Sequence, residues 1–302
     1  MTIRFNCPNC NALIAFADRN RGKHAHCTTC GQRFIIPFKD YEKAEKTKPP
    51  KEIAEPIPGF YRAVFIDSWK LFTNPNNVTG FAFILTAVVF KFFTAGWNFS
   101  LSIQGNWLSF DFYIPLGYAL RAAAWGCLFW YYTEVIYSTG FDQEELPDVV
   151  LGGFYRFIWK IIKSLYTIFV ILLVVGLPYL ITALIFWKTG VEWPVLLYIF
   201  AFGGLFLSPM AILTAAVGRD LTMLRPDYFL ITVGRALRPY LVPAVLLGVA
   251  GVLQMHTSQY MGQRLAAAAG HLLLNLAVQA FALVAMRSIG LFYRHYSCYL
   301  PW

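Results

Sequence analysis

Cys7-Pro-Asn-Cys10 and Cys27-Thr-Thr-Cys30 stand sixteen residues apart near the start of the chain. Two C-x2-C pairs at that distance form the pattern of a four-thiolate metal site. Zinc takes four such ligands tetrahedrally, and a set closed in this way leaves no position for substrate, so the expected ion is a structural Zn²⁺. His24 and His26 flank the second pair, but four cysteines already saturate the ion. Bringing the pairs together requires short strands, expected at residues 12–16, 23–27 and 32–37 with a turn at 18–22. Asn11 and Gly31 follow the two pairs, and both residue types tolerate left-handed backbone. Cys127, among apolar neighbours, and Cys298 stand alone and have no activating groups beside them in sequence.

The first 39 residues therefore read as a zinc ribbon of β type. Residues 40–57, DYEKAEKTKPPKEIAEPI, hold acids, lysines and three prolines with few large apolar side chains, the composition of a flexible linker. Residues 58–302 are different in kind. The whole chain is 58% hydrophobic and 14% charged, against about 25% charged in soluble domains. Between Lys163 and Lys188 no charged residue occurs; as a helix this run crosses the roughly 30 Å hydrocarbon core of a bilayer. Six spans are expected, at about 78–97, 116–136, 164–187, 194–217, 240–256 and 267–292. The fold class is thus an all-α polytopic membrane protein carrying a small N-terminal β-type ribbon. The opening MTIRFNCPNC has no apolar stretch of signal-peptide kind.

Lysines and arginines set the expected orientation. They cluster before the first span, between the second and third (Arg156, Lys160, Lys163), between the fourth and fifth (Arg219, Arg225, Arg235, Arg238) and at the C-terminal end (Arg287, Arg294). The intervening loops hold Lys188 and Arg264 alone. By the positive-inside rule both termini face the cytoplasm of a prokaryotic inner membrane. That compartment is reducing, where cysteines bind metal rather than form disulfides. The net charge of +9 is explained by this placement, and the ribbon has no aromatic row for stacking bases, which argues against nucleic acid as a partner.

An internal repeat is visible. Pro147-Asp148 precedes Arg156 by the same spacing as Pro226-Asp227 precedes Arg235, and Gly59-Phe60-Tyr61-Arg62 echoes Gly153-Phe154-Tyr155-Arg156. Three modules are expected, each an interfacial helix followed by a two-span hairpin. Pro followed by Asp suits a helix start, and aromatic and basic residues suit the headgroup region.

Charges and amides within spans are costly and mark candidate sites. Arg121 and Glu134 fall on the second span. His271, Asn275 and Gln279 recur at i, i+4 and i+8 on the sixth and share one face, with His256 close enough in sequence to join them. Hydrogen bonding between helices is the favoured reading of these three residues over a transport or proton site. Lys91, Arg121 and Glu134 are expected to snorkel to the headgroups, the alternative being that Lys91 meets Glu134 or that Arg121 lines a pathway. The acidic group Asp142, Glu144, Glu145 and Asp148 reads as solvated or facing basic residues. No H-E-x-x-H, G-x-S-x-G or P-loop occurs, so no enzyme is expected.

The segment Phe5, Cys7, Pro8, Cys10, Gly22, Lys23, Cys27, Cys30, Gly31, Phe34 and Pro37 resembles the short prokaryotic zinc ribbons. Residues 58–255, through Pro115 to Arg121, Leu146 to Lys160 and Ser208 to Tyr240, resemble an uncharacterised multi-pass membrane domain loosely like the Yip-type proteins. That resemblance implies a helical membrane domain and supplies no activity. The combined expectation is a non-enzymatic membrane scaffold or adaptor that presents the ribbon to a cytosolic protein partner. The alternative is a transporter or lipid-handling protein with a regulatory ribbon, which would need a cavity among Arg121, Glu134, His271 and Asn275. Oligomeric state is left open.

Overall fold

The computed structural model describes residues 2–10, 12–17, 20–27, 30, 33–37, 55–94, 96–104, 109–114, 116–150, 152–190, 193–219, 221, 224–257, 259–260, 262 and 264–300. The expected linker lies mostly outside the described residues. The chain divides into two compact units, Met1–Glu55 and Pro56–Trp302.

In the first unit β1 (Thr2–Asn6) pairs antiparallel with β2 (Leu13–Ala17), and β3 (His24–His26) with β4 (Arg33–Ile35). Strand β1 was not among the expected strands. Its side chains alternate, burying Ile3 and Phe5 and turning Arg4 and Asn6 outward, and the same period carries Cys7 inward. Phe5 meets Phe34 of the other hairpin edge-on at 5.2 Å between ring centres, which joins the two ribbons into one small core with Ile3, Cys7, Cys27 and Ile36.

The second unit is mostly helical. Its elements are α1 (Phe60–Phe65), 3₁₀ turns at Asp67–Phe72 and Pro75–Asn77, α2 (Val78–Thr94), the hairpin β5 (Phe99–Gln104) with β6 (Ser109–Ile114), and α3 (Leu116–Gly140). There follow α4 (Phe154–Thr189), α5 (Pro194–Gly218), α6 (Pro226–Arg235), α7 (Leu237–Met255) and α8 (Leu265–Tyr296). The β5–β6 hairpin occupies what reads in sequence as a plain loop. Among the described residues five segments are long and apolar enough to cross a membrane: Pro75–Thr94, Phe154–Thr189, Pro194–Gly218, Leu237–Met255 and Leu265–Tyr299. The expected second span, 116–136, is the helix α3, long enough but less apolar, with Arg121, Glu134 and several tyrosines along it.

Neighbouring helices pack as the pairs α2–α3, α4–α5 and α7–α8, and α3 also packs on α4, α5 and α8. This central place explains its composition: Leu128, Tyr131, Tyr132, Val135 and Ile136 are almost fully buried. The most apolar window of α4, by contrast, is 11% buried, and Phe169, Leu172 and Leu184 point outward. An outward surface of that kind belongs in lipid rather than water.

The repeat is corrected in its middle module. No separate interfacial helix starts at Pro147, because residues 147–150 are non-helical and α4 runs unbroken from Phe154 to Thr189. Gly152 and Gly153 have φ of 68° and 94°, which stops any helix entering from Pro147. Tyr131 Oη donates to the Pro147 carbonyl, and the Leu146 amide donates to Asn77 Oδ1 at 2.8 Å, so the segment is tied to α3 and to the entry of α2. In the third module Pro226 does open a helix, α6, with Asp227 in its first turn. The first module has the six-residue α1 and two 3₁₀ turns before α2.

Two close helix crossings hold α3. A Cβ on Gly290 of α8 would lie 2.7 Å from the Ile136 carbonyl oxygen and 2.9 Å from Thr139 Cβ; one on Gly126 would lie 2.7 Å from Ile161 Cγ2 of α4. Small residues let helix backbones approach where apolar attraction to lipid is no weaker than to protein. Pro209 withdraws an amide from the Leu205 carbonyl inside α5. Ser208 Oγ donates to that carbonyl at 2.6 Å, and Tyr240 Oη from α7 donates to the next, Phe206, at 2.5 Å. Gly290→Ala should therefore destabilise the detergent-solubilised chain by about 1–3 kcal/mol through overpacking. Gly234→Ala in α6, with nothing within 4 Å, should leave its thermal unfolding unchanged.

Candidate functional site

Four thiols meet in the first unit. Strand β1 delivers Cys7 and the turn after it Cys10; β3 delivers Cys27 and its turn Cys30. The Cys7 amide donates to the Ala12 carbonyl at 2.9 Å, closing the first knuckle, while Ile36 and Lys23 are bonded across the second at 3.0 Å. Gly22, at φ 71°, makes the turn that returns the chain into β3. All four Sγ atoms lie within 4.8 Å of one another, with Cys7–Cys30 and Cys10–Cys27 each at 3.6 Å. These separations exceed a disulfide's roughly 2.05 Å; the cysteines are not joined as disulfides and could hold one metal ion. Cys7 and Cys27 are buried, Cys10 and Cys30 exposed. His26 is exposed and belongs to no such group among the described residues, and the side chain of His24 lies outside them.

The Ala12 amide hydrogen bond favours a Cys10 thiolate. The protons shared with Cys30, Cys27 and Cys7, together with desolvation, outweigh it and push that thiol up to about 12. Four thiols this close cannot all ionise without a cation among them. A metal must displace their protons, so its affinity should fall as pH falls.

The intramembrane polar residues do not converge. Arg121 is exposed and reaches Gln259 at 3.4 Å. Glu134 faces Arg219, the residue just after α5, also at 3.4 Å. Asn275 is fully buried and donates to the His271 carbonyl one turn back at 2.9 Å. His256 bonds its own helix at the Val252 carbonyl and does not join them. Gln279, also buried, links helices: its Oε1 accepts from Tyr132 of α3 and its Nε2 donates to Gln254 Oε1 of α7, both at 2.5 Å. Gln254 then donates to Thr257 Oγ1 at 2.6 Å. Neither Gln254 nor Tyr132 was singled out from sequence, although a lone amide in an apolar helix is a usable signal.

Lys91 is corrected: it does not snorkel but is 6% exposed, its ammonium 4.8 Å from the centre of the Trp125 ring on α3. The indole face offers the cation a partner inside the bundle. In the acidic loop Asp142 pairs with Arg294 of α8, Glu145 accepts from Asn76 at 2.6 Å, and the Glu144 carbonyl accepts from Arg287 at 3.0 Å. That loop is a clasp between α8 and the start of α2.

A cavity of 760 Å³ opens among α3, α4, α5, α7 and α8. Trp125, Phe129, Ile171 and Leu205 line it, and Tyr132, Gln254 and Gln279 form its polar edge. Of the residues expected around a cavity, Arg121, Glu134, His271 and Asn275 are not in this lining.

Comparison with protein-family models, with curated proteins and with solved structures finds no match to this chain.

Replacing Gln279 by Leu would leave the Tyr132 hydroxyl and Gln254 carbonyl without their buried partner. The expected loss is about 1–3 kcal/mol, read as a lower unfolding midpoint in detergent, with Tyr132→Phe costing less because Gln279 keeps its bond to Gln254.

Proposed function

We propose that this protein is a non-enzymatic multi-pass membrane protein that carries a structural zinc ribbon for recognition by a protein partner. The observation that carries the reading is the four-thiol cluster inside a compact unit with its own core. A tetrahedral Zn²⁺ with bonds of about 2.3 Å sets its sulfurs about 3.8 Å apart, and the separations of 3.6 Å and up to 4.8 Å fit that ion. The ribbon is a zinc ribbon in this reading, as its resemblance in sequence implies. Cys7, Cys10, Cys27 and Cys30 hold the ion; the ion supplies the cross-link that so small a core cannot provide.

The orientation follows from the basic loops: both termini lie in the cytoplasm, so the ribbon meets cytosolic proteins, and the linker raises its local concentration at the membrane. Elemental analysis of the purified chain should give about one zinc per molecule, and Cys7→Ser with Cys10→Ser should give none. Affinity capture with the full chain should recover a partner that this double variant fails to recover. Recovery of the same proteins by both would count against a zinc-dependent adaptor.

A second reading is favoured by the 760 Å³ cavity. Its volume lies in the range of about 300–1,000 Å³ used for small ligands, and its mainly apolar wall suits an acyl chain. In that reading the helical unit handles lipid and the ribbon regulates it.

A further inference from the structure

Beside the apolar cavity lies a pocket of different chemistry. Where the second half of α3, the first turns of α4 and the end of α5 meet, a space of 360 Å³ is lined by Lys160, Lys163 and Arg219 with one carboxylate, Glu134. Three cations against one anion leave an excess of two positive charges. Ser164 is in the same lining; it is 6% exposed and its Oγ has no hydrogen-bond partner. A helical hydroxyl usually donates to the carbonyl one turn back, as Thr167 does to Lys163 at 2.8 Å. Ser164 does not, and a buried polar atom without a partner calls for an explanation.

The cations are held in place but not consumed. The Arg219 guanidinium stacks on Tyr137 at 4.1 Å, and its 3.4 Å approach to Glu134 is long for a charge-assisted hydrogen bond. Lys160 lies 4.5 Å from the Trp130 ring centre and donates to the Val150 carbonyl at 2.6 Å, keeping its other protons. Lys163 is exposed and has no ion pair among the described residues. A guanidinium, two ammonium groups and a hydroxyl donor converging on one space suit a phosphate, which is anionic and accepts only.

The lining changes character one turn away. On α4, Ser164 and Thr167 give way to Ile168 and Ile171; on α5, Ala215 and Ala216 are preceded by Ile212; Phe129 lines both spaces. A polar pocket thus adjoins the apolar cavity along the helix axes. We infer that the two together hold a phospholipid, its phosphate between Lys160, Lys163, Arg219 and Ser164 and an acyl chain in the cavity. The inference rests on the lipid-handling reading and adds the headgroup.

The test is native mass spectrometry of the full chain in detergent, titrated with dioleoyl phosphatidic acid, with dioleoylglycerol and with inorganic phosphate. Phosphatidic acid should bind at least about tenfold more tightly than dioleoylglycerol, and Arg219→Gln should weaken it about tenfold. Lys163→Gln, at an exposed and unpaired position, is the second variant and should weaken it in the same direction. Equal binding of phosphatidic acid and dioleoylglycerol would overturn the phosphate assignment while leaving a lipid cavity. Failure of both lipids to bind would remove the lipid-handling reading and this inference with it. Inorganic phosphate binding as tightly as the lipid would make the ligand a soluble phosphate and overturn the lipid assignment.

Discussion

The helical unit depends on how closely α3 and α8 can approach. Gly290 brings α8 against the Ile136 carbonyl and Thr139 of α3, and α3 in turn carries the faces on which α2, α4 and α5 pack. In lipid no hydrophobic force drives helices together, so dispersion at close range and buried hydrogen bonds do the holding. The Tyr132–Gln279–Gln254 chain lies on the same crossing and carries it across to α7. At the end of the bundle the clasp of Asp142 with Arg294, and of the Glu144 carbonyl with Arg287, fastens the α3 exit to α8. The entering chain is fixed there too: the Ile57 amide donates to the His295 carbonyl at 3.0 Å, and His295 Nδ1 donates to the Ile57 carbonyl at 2.8 Å.

With α3 and α8 packed so tightly, α4 leans on the core by one side, while α5 is largely exposed in its first half and buried from Pro209 to Ala216. The 760 Å³ cavity opens between that pair and the rest. Helix α4 has little buried side-chain surface of its own, and this asymmetry separates a scaffold from a face free to accept a ligand. The first unit follows a different logic. Among the described residues its buried core is six side chains, two of them cysteines, and a core so small is helped by a cross-link such as the metal ion that the four thiols could hold.

Features set by short-range chemistry were legible in the sequence. The two CxxC pairs marked the thiol cluster because ligand spacing within a knuckle is local, and the shared face of Asn275 and Gln279 followed from helical period alone. Strand β1 escaped notice because two apolar residues, Ile3 and Phe5, are a faint alternation. Pro147-Asp148 and Pro226-Asp227 look alike, yet only the second opens a helix; the paired glycines at 152 and 153 decide the first. The central place of α3 was hidden because spans buried by protein and spans facing lipid share an apolar composition. The partners of Gln279 and of Lys91 lie on other helices, and one sequence offers no means of pairing them. Lys160, Lys163 and Arg219 read as orientation signals, and only the packing of α3, α4 and α5 gathers them with Ser164.

An apolar bundle of this kind belongs in lipid, with α3 at its heart and α4 at its rim. Carbene labelling of the reconstituted chain by a membrane-partitioned photoactivated probe, mapped by mass spectrometry, tests it most directly. Strong labelling is expected at the outward residues Phe169, Leu184, Phe202 and Val245, with protection of Leu128 and Val135 on α3. Labelling of α3 as heavy as that of α4, or none at the four outward positions, would contradict it.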